Sequence, residues 1–198
     1  MSEQLIISIG REFGSGGHAI GEILAEKFSL PLYDNNLLRE ITMAKELDLT
    51  ELERYDEMPK RPLFSRSVRG YSNSPEENIA ALQFDYLKSM AERGKSFVII
   101  GRCSETVLKE FKSLISIFVL ADYDCKIRRI KNKYILPHYE AELMIKQKDM
   151  ARKAYHNNHS PVKWGDSRNY DITINSSRLG VEGTADMLEY YIRERIKA

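Results

Sequence analysis

An α/β fold, a parallel sheet covered by helices on both faces, is what this 198-residue sequence predicts. Short and wholly apolar runs recur along it, each with the pattern of a strand buried on both faces. Helical segments separate these runs, and strands alternating with helices imply a parallel sheet. A glycine-rich stretch, Gly10–Gly17, stands between the first run and the first helix.

Taken in order, residues 5–9 form the first strand and GREFGSGG follows it. HAIGEILAEKF is an amphipathic helix with Ile20, Ile23, Leu24 and Phe28 on one face. LPLYD, residues 30–34, is a second short strand. NNLLREITMAKEL is a helix with Asn35 or Asn36 as its N-cap, and a further short helix starts at Thr50. Residues 58–74, with Pro59, Pro62, Arg61, Arg66, Arg69 and Gly70, read as a mobile, basic loop. Ser74 caps a long helix with Pro75 in its first turn, ending near Arg93 before Gly94. Ser96–Arg102 and Ser113–Leu120 are buried strands. A basic helix, 125–133, and a long charged one, 138–158, follow. Tyr170–Ser177 is the last strand, and VEGTADMLEYYIRERI closes the chain as a helix whose apolar positions serve the core or a dimer face.

Length and composition fit one soluble domain over 1–198: 42% hydrophobic and 30% charged residues. Thirty basic residues against 29 acidic ones leave +1, so no overall field argues for nucleic acid as partner. Two separated cysteines, Cys103 and Cys125, form neither a disulfide framework nor a metal-ligand cluster, and no metal ligands are expected of the protein. No signal peptide or membrane-spanning run is read, which points to the cytoplasm.

In parallel α/β sheets the ligand lies off the carboxyl ends of the strands. The glycine loop, Asp34, Arg102 and the Asn175 loop all fall there. Glycines let successive N–H groups turn inward, and the helix start adds its positive dipole, an arrangement for phosphate.

ISIGREFGSGGHAIGEILAEKF resembles the opening of the cytidylate kinase-like family, a branch of the nucleoside monophosphate kinases. LYDNNLLREI, FVIIGRCSETVL and the stretch from Lys146 to Gly183 resemble its later motifs, in the same order. The resemblance implies a P-loop NTPase-type α/β fold with a helical substrate-binding flank and a lid near 134–168. It implies ATP with Mg²⁺, and a nucleotide or similar small acceptor, CMP or dCMP first. The cradle would be Arg11, Gly14, Ser15, Gly16, Gly17, His18 and Ala19. One departure is plain: a full loop reads G-x-x-x-x-G-K-[ST], and here Gly17 holds the lysine position and His18 the hydroxyl position. The charge must come from elsewhere, Arg11 being nearest, or the chain is a nucleotide-binding regulatory protein without turnover. Another small metabolite as acceptor is a third reading.

Arg102 follows a strand and could clamp a phosphate with its planar fork; Cys103 stands where the family has Asp. Asp34 could bind a substrate hydroxyl or cap a helix. Arg39 could reach an acceptor phosphate or remain on the surface. In the lid, Lys148, Arg152 and Tyr155 share helical spacing, as do Asp149 and Lys153, with Lys126 and Arg129 on the preceding helix. The resemblance makes Arg152, then Lys148 and Arg129, the cations that neutralise the transferring phosphoryl group; otherwise they are a solvated charged face. Trp164 is expected as a packing anchor.

Overall fold

The computed structural model describes residues 4–34, 36–45, 67–68, 71–72 and 75–197. Five strands form one sheet in the order β2 (Leu32–Tyr33), β5 (Phe97–Ile100), β1 (Ile6–Arg11), β6 (Leu114–Leu120), β7 (Ile172–Asn175), all parallel. The fold class expected from the sequence is the one observed. Two short strands, β3 (Ser67–Val68) and β4 (Tyr71–Ser72), pair antiparallel inside the stretch read as a basic loop. The rest of that stretch, the helix expected at Thr50 and the caps at Asn35 and Ser74 lie outside the described residues.

The central strand explains the continuous apolar runs. β1 is paired on both edges, and Ile6, Ile7, Ser8 and Ile9 are all fully buried. Pleating sends alternate side chains to opposite faces. Ile7, Ile9, Val98, Ile117 and Val119 pack under α1 (Gly17–Phe28) and α7 (Gly180–Lys197), against Ile20, Leu24, Leu188 and Ile192. Ile6, Phe97 and Ile99 point the other way, toward Leu37 and Ile41 of α2 (Leu37–Lys45), Leu87 of α3 (Pro75–Glu92) and Leu108 beyond the short α4 (Ser104–Val107). Each such buried side chain contributes roughly 1.5–3 kcal/mol, so this pattern sets the layers.

α5 (Tyr123–Tyr134) and α6 (His138–His159) make an antiparallel hairpin with a small core of Ile127, Ile130, Ala141 and Ile145. Phe13 of the glycine loop packs onto that core. The hairpin therefore stands over the carboxyl edge of the sheet. No described helix is long and apolar enough to cross a membrane.

Candidate active site

The carboxyl ends of β1, β2 and β5 open into a cavity of about 660 Å³ whose far wall is the α5–α6 hairpin. Between β1 and α1 the backbone makes a tight turn, with Gly14 and Gly16 both at φ 81°, a conformation that glycine alone adopts at no cost. A Cβ on Gly14 would meet Ile130 and Lys126, so the turn also lies hard against α5. Ser15 is fully buried; its hydroxyl donates to the Glu12 carbonyl and accepts, at 3.3 Å, from the Gly17 N–H. Gly10, Arg11, Gly14, Gly16, Gly17, His18 and Ala19 line the cavity, and Ser15 stands behind it.

Gly17, at the position of the missing lysine, is filled by a neighbour. A Cβ there would stand 2.6 Å from Arg11 Cβ and 3.2 Å from its Cγ. A Cβ on Gly101 would collide with Arg11 Nη1. The arginine stem thus crosses Gly17, its guanidinium rests on Gly101 at the end of β5, and its charge reaches Asp34. One side chain accounts for two glycines.

His18 turns to the same side: Nε2 lies 2.6 Å from Asp34 Oδ2, and Nδ1 3.3 Å from Glu22. Asp34 Oδ1 accepts from the Asn36 N–H and its carbonyl from Leu37 N, so it opens α2 and faces the cavity at once. Burial pushes its carboxyl up, but the His18 and Asn36 hydrogen bonds and the charges of His18 and Arg11 outweigh this and hold it below the usual range. Arg39 is exposed on α2 and outside the cavity wall, because Leu37, Leu38 and Ile41 turn the opposite side of that helix inward.

After β5 three successive residues, Gly101, Arg102 and Cys103, have φ of 76°, 59° and 52°. Left-handed non-glycine residues cost about 1–2 kcal/mol each. Ser104 holds them, its N–H and hydroxyl both donating to the Gly101 carbonyl while its hydroxyl also meets that of Ser8. Arg102 is brought into the cavity wall, 3% exposed. Cys103 packs with Ala80 and Tyr155, and burial pushes its thiol far up.

The hairpin grips this loop. Asp149 accepts from the Phe13 N–H at 2.6 Å and from Lys126 at 2.6 Å; Lys126 also meets Glu12 at 3.2 Å. Lys126, grouped with Arg129 in the sequence, is 5% exposed and absent from the cavity wall. Arg152 donates to the Arg11 carbonyl and lies 5.4 Å over the Phe13 ring. Lys148 is exposed on the cavity rim. Arg129 turns beneath the loop, to the carbonyls of Gly14 and Ser15. Farther along, His156 Nε2 meets Glu105 Oε1 at 2.6 Å, both buried, and Ser160 meets Thr106. Trp164 packs edge-on to Phe118 and also lines the cavity.

The wall carries six basic side chains, Arg11, Arg102, Arg129, Lys133, Lys148 and Arg152, against four carboxylates. Two of those, Glu12 and Glu105, already face Lys126 and His156. What remains suits a polyanion. No local spacing in the sequence announces the triad Glu12–Lys126–Asp149, whose ends are 137 positions apart, or the pair Glu105–His156.

The profile of the cytidylate kinase-like family matches residues 6–178. A curated cytidylate kinase from Methanothermobacter thermautotrophicus is 23% identical over 184 residues, 91% of this chain and all of that one. A crystal structure of an uncharacterized protein from Eubacterium ventriosum is 36% identical, with TM-score 0.77 over 96% of this chain and 99% of that one. Shikimate kinase from Bacteroides thetaiotaomicron shares the fold, at 16% identity and TM-score 0.55 over 96% and 98% of the two chains.

Proposed function

The chain belongs to the cytidylate kinase-like family, and from that premise we propose that it transfers the γ-phosphoryl group of ATP to a nucleoside monophosphate, CMP or dCMP first. The observation that carries this is Arg11. Its stem occupies the space over Gly17 where a loop lysine would run, and its guanidinium reaches the acceptor side. The missing lysine is thereby answered by a cation from the strand end.

Phosphoryl transfer is catalysed mainly by positioning and by neutralising charge on the transferring group. The loop N–H groups and the start of α1 hold the donor phosphates. Arg11 lies between donor and acceptor. Arg102, buried and planar, clamps the acceptor phosphate, and Asp34 orients the rest of the acceptor. Arg152 and Lys148 face the phosphates from the hairpin. Asp34 and Glu22 are the cavity carboxylates engaged by neither Lys126 nor His156. Both already face His18, at 2.6 Å and 3.3 Å, so a Mg²⁺ would be carried by the nucleotide's phosphates and its own water shell, with Asp34 and Glu22 near enough only to accept from those waters. When bound, Mg²⁺ neutralises charge on the β- and γ-phosphate oxygens.

The second reading, a nucleotide-binding protein without turnover, is favoured by one observation: His18, at the hydroxyl position, is turned to Asp34. A coupled assay with ATP, Mg²⁺ and a panel of monophosphates separates the two. Turnover on CMP or dCMP that falls about a hundredfold or more in Arg11→Ala and Arg152→Ala supports the kinase, a loss of the size seen when one transition-state donor is removed. ATP binding with no turnover on any acceptor supports the second reading.

A further inference from the structure

Beneath the glycine turn lies a second arginine, part of the cavity wall, whose guanidinium hydrogen-bonds to the protein itself. Arg129 Nη1 donates to the Ser15 carbonyl at 2.8 Å, to the Gly14 carbonyl at 3.4 Å and to Ser176 Oγ at 2.9 Å; Nη2 donates to the Ser176 carbonyl at 3.3 Å. Ser176, fully buried in the turn after β7, passes its own hydroxyl hydrogen to the same Ser15 carbonyl at 2.5 Å. Ser176 N–H is in turn held by the Leu120 carbonyl at the end of β6. One peptide carbonyl of the loop therefore accepts two hydrogen bonds from behind, one of them charge-assisted.

The peptide plane decides what this does. In a trans peptide the carbonyl oxygen and the next residue's N–H point in opposite directions. With the Ser15 oxygen drawn back toward Arg129 and Ser176, the Gly16 N–H is driven forward. No hydrogen bond from Gly16 N, His18 N or Ala19 N is formed among the described residues. The arginine sits close under this peptide: a Cβ on Gly16 would stand 3.5 Å from Nη1 and 2.8 Å from Val181. A cation on the oxygen also polarises the peptide and makes its N–H a stronger donor.

We propose that Arg129 and Ser176 are positioning residues that aim and charge the Gly16 N–H for a donor phosphate. The inference rests on the phosphate-binding reading of the loop given above. It assigns Arg129 a place behind the cradle, acting through the Ser15 peptide, instead of contact with the transferring group. It also ties the cradle to the turn after β7 through Ser176.

The test uses the full chain with inorganic pyrophosphate and with ATP as probes, titrated by calorimetry, and follows the Gly16 amide resonance by ¹H–¹⁵N NMR. Arg129→Gln and Ser176→Ala, with folding checked by thermal unfolding, are expected to weaken both probes about tenfold, the size of one hydrogen bond's net worth. The Gly16 resonance is expected to move in the free protein of both variants, and Arg129→Lys to recover part of the affinity. If the variants fold, bind as the wild type does and leave the Gly16 resonance in place, the positioning role is overturned and the function proposed above stands. If the wild type binds neither probe, both fall together. If Arg129→Gln does not fold, Ser176→Ala, which removes one hydroxyl, decides by the same two readouts.

Discussion

At residue 17 two preferences oppose each other. Alanine is better than glycine inside a helix by roughly 0.8–1 kcal/mol, and Gly17 opens α1. Yet its Cβ would stand 2.6 Å from Arg11 Cβ, and overpacking costs about 1–3 kcal/mol. The clash wins, so Gly17→Ala is expected to lower the unfolding temperature and weaken ATP binding. Arg11→Ala keeps the clashing Cβ and should not relieve the loss, whereas Arg11→Gly removes it and should recover part of the stability though not the binding, which a thermal double-mutant cycle reads directly. A Gly17→Ala protein more stable than the wild type would show that Arg11 does not occupy that space. Asp34 offers a pH test. Its native carboxyl is held below the usual range by His18 and Asn36 despite burial. The native state then binds fewer protons than the unfolded chain near pH 4. The stability this gives is complete above about pH 4 and is lost as pH falls through the lower native value. His18→Ala should therefore differ from wild type in urea midpoint at pH 5, with the gap narrowing toward pH 2.5. Equal gaps at both values would uncouple the pair.

At the scale of elements, α6 is bound along its length. It meets the glycine loop through Asp149 and Arg152, and the segment after β5 through His156–Glu105 and, just beyond its end, Ser160–Thr106. Read as a sequence, this helix is a charged surface with i,i+4 spacing, and that reading cannot separate solvated charges from the ones that turn inward. Three of the inward ones, Asp149, Arg152 and His156, follow each other at intervals of three and four residues, but only their partners on other elements mark them out. Removing one member of a buried pair costs about 3–5 kcal/mol because the other is left without compensation. Glu105→Ala is thus expected to lower the unfolding temperature by about 10 °C in a chain of this length, whereas Glu105→Gln, which keeps an acceptor oxygen for His156, should cost less. Scanning calorimetry that finds the two variants equal would mean the charge contributes nothing at this joint.

Over the whole molecule, the apolar runs predict the three inner strands of the main sheet, since β1, β5 and β6 are buried on both faces. The half-buried edge strands, β2 with only two residues and β7 with the polar Thr173 and Asn175, are read from their place between helices. Strand ends were less legible: the first strand reads as stopping at Ile9, but pairing with β6 carries it to Arg11. That extension puts Arg11 on a strand, aimed across Gly17, which no glycine-loop pattern conveys. The left-handed Arg102 and Cys103 were equally hidden, because neither residue type announces a positive φ. Trp164, the single tryptophan, links packing to the cavity, standing against Phe118 and on the wall together. Its emission is expected to change on titration with ATP and to vanish as a signal in Trp164→Phe. A flat trace at ATP concentrations that calorimetry finds saturating would place the nucleotide away from that wall.

The strand order also sets a timetable. Ile6 pairs with Phe97 on one side and with Leu114 on the other, so the central strand leaves the ribosome before either partner and waits for the 91 residues from Ile6 to Phe97 to be made. At about 5–20 residues per second that interval lasts roughly 5–20 s. Throughout it the strand Ile6–Ile9, three isoleucines and a serine, is available to other nascent chains. Sheets assembled from such distant pairs close slowly, so the yield of this protein in a cell depends on what shelters Ile6–Ile9 during that wait.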